Sequence, residues 1–324
     1  MARRTHNQRR RVIVSAVFAA SLLVGTAACG FAATGEDVTS IAPPLPSAGR
    51  PPGTVTLPMG TEMGPAVKKL QDAITAGGGV VLATVDNAAD ARANGAPAVA
   101  ANTVVIGGAA AVGLPMLRAN QQAAAALPER YLLKQDPGGA VSLTYNGPDY
   151  VAAVSGVVDL AATNPFTTAT ASVADQTAGT SGVHESAPLI GVTPKDFLLT
   201  DGARTTVQAT VAGLRGALKA PGETVVADQD LAAGSGDPGP ALRATHSLLV
   251  SAPGFTSPLV AAAPTFGLEL PLRFVVWLDN KNTTQIGYVD VGVLAARHGL
   301  KADDPNVVRL AAECDRLASA ASGT

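Results

Sequence analysis

Val67, Leu70, Ala73 and Ile74 recur at the three- and four-residue spacing of a helix that buries one face, and Gly77-Gly78-Gly79 stops it. Val80–Val85 follows as an apolar run of strand length, then Ala88–Asn94 as a short helix ended by Gly95. Thr103–Ile106 has the composition of a buried strand and breaks at Gly107-Gly108, and Met116–Ala126 reads as a helix ended by Leu127-Pro128. Arg130–Gln135 and Val141–Tyr145 flank Asp136-Pro137-Gly138-Gly139, a turn sequence that predicts a hairpin. A short strand at Val55–Leu57 opens this series, and a helical turn at Asp149–Val154 closes it.

The series then recurs. Phe197–Leu199, Thr224–Ala227 and Ser247–Val250 read as strands, Val207–Leu218 as a helix, and Phe274–Leu278 with Gln285–Val289 as a hairpin. Leu70, Ala73, Val81, Asp86 and Gly95 fall on Leu214, Ala217, Val225, Asp230 and Gly239, each 144 positions on. With one residue dropped before Pro115 the offset becomes 143, and Pro115, Leu127-Pro128, Arg130, Asp136, Tyr145 and Gly156 meet Pro258, Leu270-Pro271, Arg273, Asp279, Tyr288 and Gly299. A unit of roughly 90–100 residues is a domain, not a solenoid repeat. Two tandem copies of one domain mixing strands and helices are therefore expected, at 54–156 and 194–300. Residues 157–193, rich in Thr, Ala, Ser, Gly and Pro with little apolar periodicity, read as a linker that permits motion between the copies. Ala232–Arg243, with three glycines and two prolines, reads as a loop. A final helix in 301–324 starts at Asp304-Pro305 and carries Val307, Leu310, Cys314 and Leu317 as its apolar stripe.

The N-terminal pattern is different in kind. Arg3, Arg4, Arg9, Arg10 and Arg11 precede Val12–Val24, an uncharged apolar run too short to cross a bilayer comfortably, which takes ~20 apolar residues. Gly25-Thr26-Ala27-Ala28 then leads into Cys29, an arrangement similar to a bacterial lipobox, in which the thiol is acylated and becomes the new N-terminus. Residues 1–28 are expected to be an export signal, by the general or the twin-arginine route, and Cys29 the lipid attachment. The plainer alternative is an ordinary secretory signal with Cys29 incidental. Residues 29–53, with Pro43, Pro44, Pro46, Pro51 and Pro52, read as an extended tether holding the domains at the outer face of the cell membrane. Loss of residues 1–28 removes 5 of 23 basic residues and none of 25 acidic ones, leaving a formal charge of −7. That balance argues against nucleic acid as a partner. With Cys29 acylated, Cys314 has no cysteine to pair with.

Candidate chemistry is sparse. His6, His184, His246 and His298 have no second His or Cys at ligand spacing, so no metal site is expected. Gly77-Gly78-Gly79 follows a helix instead of opening one, which makes it a helix stop and not a phosphate loop. Ser251 and Thr256 lack a histidine base at recognisable spacing, so no catalytic residue is assigned. Asp86 and Asp230 stand where a strand ends in each copy; such a carboxylate either caps the next helix or lines a cleft beside the following loop. The candidate ligand pocket is therefore Asp86, Asn87, Gly107, Gly108, Asp230, Ser251 and Pro253. Tyr145 and Tyr288 read as hairpin packing, Cys314 as a buried small hydrophobe, His246 as a strand-edge residue and His298 as a helix cap.

Leu270-Pro271-Leu272-Arg273, Val275-Val276-Trp277-Leu278-Asp279 and Leu294-Ala295-Ala296-Arg297-His298-Gly299-Leu300 resemble the domain of unknown function 302 family. The resemblance covers each repeat nearly end to end. It implies an α+β fold: two tandem two-layer α/β sandwich domains of the same fold, plus the C-terminal helix. The family pattern has an Asp-His pair where this chain has Asp86-Asn87 and Asp230-Leu231, and a Gly-Asn-Pro turn where it has Gly107-Gly108-Ala109 and Ser251-Ala252-Pro253. The expected function is accordingly that of a membrane-tethered, non-enzymatic binding or scaffolding module without a cofactor, its partner an envelope protein or a small-molecule ligand. The alternative is an enzyme or small-ligand-handling protein with its site at the strand ends or between the repeats.

Overall fold

Strands β1 (Thr54–Met59), β2 (Val80–Asp86), β3 (Asn102–Gly108), β4 (Arg130–Gln135) and β5 (Val141–Asn146) form an antiparallel sheet in the order β1-β5-β4-β3-β2. They are interleaved with helices α1 (Met63–Ala76), α2 (Asn87–Ala93) and α3 (Ala110–Ala119), and α4 (Pro148–Ser155) and α5 (Leu160–Ala178) follow. The second copy repeats the plan with β6 (Leu198–Ala203), α6 (Val207–Ala217), β7 (Thr224–Asp230), β8 (Thr245–Ser251), α7 (Pro253–Ala262), β9 (Leu272–Leu278), β10 (Thr284–Val289), α8 (Val291–Arg297) and α9 (Pro305–Ser322). Its sheet order, β6-β10-β9-β8-β7, is the first order again. The structure is a computed structural model and describes residues 50–189, 197–233 and 241–323. The expected leader, Cys29, most of the tether, and residues 234–240 of the expected loop lie outside the described residues.

The inner strands β3, β4, β8 and β9 carry apolar residues at successive positions because both of their faces are buried. In the first sheet Val105, Tyr131, Leu133, Leu143 and Tyr145 pack with Leu70 and Ile74 of α1 and with Val173 and Ala174 of α5. The alternate residues Val104, Ile106 and Leu132 pack against Leu249 and Leu268 of the second copy. One face of the sheet is thus covered by helices and the other by its sister repeat.

Two expectations are corrected here. Residues 157–193 are not a linker: α5, 19 residues long, occupies most of the segment and covers the first sheet. Shifted by 144, its buried Thr163, Phe166, Thr170, Val173, Ala174 and Thr177 fall on Val307, Leu310, Cys314, Leu317, Ala318 and Ala321 of α9, all of them buried. The supposed linker and the supposed extra C-terminal helix are the same element in each copy. Three inward positions of α5 are threonines, and the hydroxyls of two turn back on the chain: Thr177 Oγ1 donates to Val173 O at 2.7 Å and Thr163 Oγ1 to Asp159 O at 3.3 Å. A threonine bonded in this way packs inward without a stranded hydroxyl, which is why apolar periodicity did not reveal the helix.

Motion between the copies is the second. Arg130 Nη2 donates to Pro271 O at 2.7 Å, and reciprocally Arg273 Nη2 donates to Pro128 O and Nη1 to Ala125 O, both at 2.9 Å. Asn102 Nδ2 donates to Pro264 O at 2.7 Å, and Gln121 Nε2 to Thr245 Oγ1 at 2.8 Å. The end of the tether is also packed, since Pro51 is buried and Arg297 Nε donates to Pro52 O. Buried guanidinium groups spent on the other repeat's carbonyls fix the two copies in one arrangement.

Candidate functional site

Beside the helix-covered face of the first sheet, where β2 and β3 meet α3 and α5, lies a cavity of about 1000 Å³. Its walls are mostly apolar, with Ile74, Val80, Leu82, Leu117, Phe166 and Val173 prominent. Gly107 opens it. A Cβ there would lie 2.6 Å from Val80 O and 3.3 Å from Ile74 Cγ2, so the glycine is what lets β2 and α1 approach β3 this closely. The first turn of α3 lines the same space, and its N-cap residue Ala109 supplies no side-chain acceptor.

Glu129, which follows the cis Leu127-Pro128 bond, is part of the wall and is only 1% exposed. Its Oε1 accepts from Arg130 N at 2.8 Å and from Asn146 Nδ2 at 2.9 Å, while the buried Oε2 has no protein partner. Burial pushes the carboxyl up to about 7, against those hydrogen bonds and the attraction of Arg273. Tyr131, also in the wall, donates its hydroxyl to Thr170 O at 3.5 Å.

Behind Glu129 a polar chain runs into the second copy. Asn146 Oδ1 accepts from Arg297 Nη2 at 2.8 Å, and Arg297 Nη1 donates to Glu269 Oε1 at 2.6 Å while its guanidinium lies 3.4 Å over the Tyr150 ring. His298 Nε2 bonds the same Glu269 oxygen at 2.8 Å, and its Nδ1 bonds Thr265 Oγ1 at 3.0 Å. Burial alone would raise Glu269, but Arg297, the His298 hydrogen bond and Arg130 together hold it down at about 2. Burial lowers His298, so the arrangement is a neutral imidazole donating to a carboxylate. His298 does terminate α8, but its ring belongs to this buried network.

The residues singled out from the sequence divide. Gly107, Gly108 and Asp230 line the cavity, Asp230 from its far rim together with Gln229 and Leu231. Asp230 Oδ1 also accepts from Ala232 N and Ala233 N at 3.0 Å, and its Oδ2 lies 3.4 Å from His246 Nε2. The others are elsewhere. Asp86 caps α2 through Ala89 N at 2.9 Å, and Asn87 is buried between the copies, donating to Asn102 Oδ1 at 2.9 Å and Gly267 O at 3.4 Å. Ser251 ends β8 and Pro253 begins α7. Glu129 was missed. Its signal was in the repeat alignment: Leu-Pro-Glu-Arg in the first copy stands against Leu-Pro-Leu-Arg in the second, an acid where the sister strand has a core leucine.

The family model described as Domain of unknown function DUF302 matches residues 54–176 and again 201–320, spans that take in most of α5 and of α9. A solved structure described as an uncharacterized conserved protein DUF302 from Bacillus stearothermophilus is 22% identical, covering 39% of this chain and 96% of that one with a TM-score of 0.31. No curated protein matches the chain. Two matched regions that together take up well over half of the sequence make the chain a member of the DUF302 family, carrying its domain twice in tandem.

Proposed function

We propose that this is an exported protein, tethered to the outer face of the membrane by an acylated Cys29, that binds a small apolar molecule in a cavity built mainly by its first repeat, with the second as a structural partner. The observation that carries the reading is the pocket itself: about 1000 Å³ of mostly apolar wall with one buried carboxyl, the usual make-up of a small-molecule site. The leader-like residues 1–28 and the proline-rich 29–53 support the location. A carboxyl poised near 7 would also suit a general base. Binding is preferred because the lining residues include no histidine, lysine or cysteine to complete an acid–base or nucleophilic pair with Glu129.

The test is binding of a neutral apolar fluorophore such as Nile red to the purified protein and to Ala169→Trp, which places an indole in the cavity wall from a half-exposed position on α5. Saturable binding at one site, weakened at least ten-fold by the tryptophan, is expected; no binding, or equal binding by the variant, defeats the proposal. For the anchor, Cys29→Ser is expected to move the protein from washed membranes to the soluble fraction, since stable anchoring by acyl chains takes two signals and both would be lost. Retention in the membrane would refute the acylation.

A further inference from the structure

Resting on the reading of the cavity as an apolar-ligand site, we infer that its ligand is an apolar molecule whose polar end is an uncharged or cationic hydrogen-bond donor, an alcohol or an amine, and that the pocket rejects the corresponding carboxylic acid. Among the described residues the wall has two carboxyls, Glu129 and Asp230, and no lysine or arginine, although Arg130 and Arg273 stand behind Glu129 outside the lining. Glu129 Oε2 is buried with no partner among the described residues while Oε1 already accepts two bonds, so the carboxyl keeps one unused acceptor just behind the cavity surface. An unpaired buried acceptor costs free energy that a ligand hydroxyl or ammonium would recover. A ligand carboxylate would instead face a like charge in a medium that screens poorly.

One feature pulls the other way. The uncapped first turn of α3 also lines the cavity, and backbone N–H groups at a helix start favour anions. A hydroxyl uses both, donating to Glu129 and accepting from a backbone N–H, whereas a carboxylate uses one and is repelled by the other. The apolar remainder follows from the wall: Leu82, Leu117, Phe166 and Val173 offer the ligand nothing but surface to cover.

The experiment displaces bound Nile red with 1-decanol, decylamine and decanoic acid, each below its aggregation limit at pH 8, from the wild type and from Glu129→Leu. Leucine is the residue the second repeat carries at this position, Leu272. Decanol and decylamine are expected to displace at least ten-fold more strongly than decanoate, and Glu129→Leu to abolish that preference while still binding Nile red. Equal displacement by decanoate, an unchanged preference in Glu129→Leu, or no displacement by any of the three while Nile red binds would overturn the donor-head assignment and leave the apolar site standing. Failure of Nile red to bind the wild type would overturn the site and this assignment with it.

Discussion

The same strand end is built twice in this molecule, once open and polar and once closed and apolar. In the first repeat the positions are Gly107, Glu129, Tyr131, Asn146 and Thr170; in the second, Val250, Leu272, Phe274, Val289 and Cys314 occupy them, all buried. The changes act together. Gly107 lets β2 and α1 pack close to β3, Glu129 takes Asn146 as its hydrogen-bond donor, and Tyr131 bonds the Thr170 carbonyl. Valine at Val289 offers no donor, and no acid stands opposite it. A buried carboxyl is tolerated only where a donor has come with it, so each copy is self-consistent and neither is a half-way form. On the proposed reading the first repeat carries the site, and the second, filled here with leucine, valine and phenylalanine, contributes its surface, its carbonyls and its Arg297–Glu269 pair.

Transplanting the acid should hurt most. Leu272→Glu places a carboxylate beside Val289 with no donor, and we expect a loss of about 3–5 kcal/mol in urea unfolding at pH 8. A loss under 1 kcal/mol would mean that the second strand end can accept an acid after all. The second test concerns protonation of Glu129. Its carboxyl titrates near 4.5 when unfolded and near 7 in the native protein, so the folded state binds the extra proton and stability falls as pH rises between those values. The fall attributable to this group is up to about 3 kcal/mol. It should be absent in Glu129→Gln, so that the wild type and the variant diverge between pH 5 and pH 8. Parallel pH profiles would show that Glu129 titrates normally.

The reciprocal arginines give a smaller contrast. Arg273 serves two carbonyls of the first repeat, Arg130 one of the second. Arg273→Met should cost about 2 kcal/mol and Arg130→Met about half of that, read from urea midpoints, because each leaves buried carbonyl oxygens unpaired. Equal costs would mean that packing, not the hydrogen bonds, sets the value. The smallest effect is expected at the caps. Asp86→Ala should lose about 1 kcal/mol, the scale of one N-cap, and leave Nile red binding unchanged because Asp86 is outside the cavity wall. Lost binding with intact folding would extend the site to that strand end.

How much of this was legible beforehand follows from which interactions leave a mark on a single chain. Duplication, strand order, the hairpins and the family were in the sequence because periodicity, turn residues and the paired motifs Leu127-Pro128 and Leu270-Pro271 are local signals. Gly107, Gly108 and Asp230 could be nominated because a break at a strand end is local too. Helix α5 was hidden by its inward threonines, although α9 shows the same helix with apolar residues at the same positions. Tertiary structure alone decided that Asn87 lies between the repeats, that Glu129 sits in a cavity wall with one oxygen unpartnered, and that Arg130 and Arg273 exchange hydrogen bonds across the pair. Burial of a charge is set by neighbours more than a hundred residues away, and no spacing rule within one strand contains them.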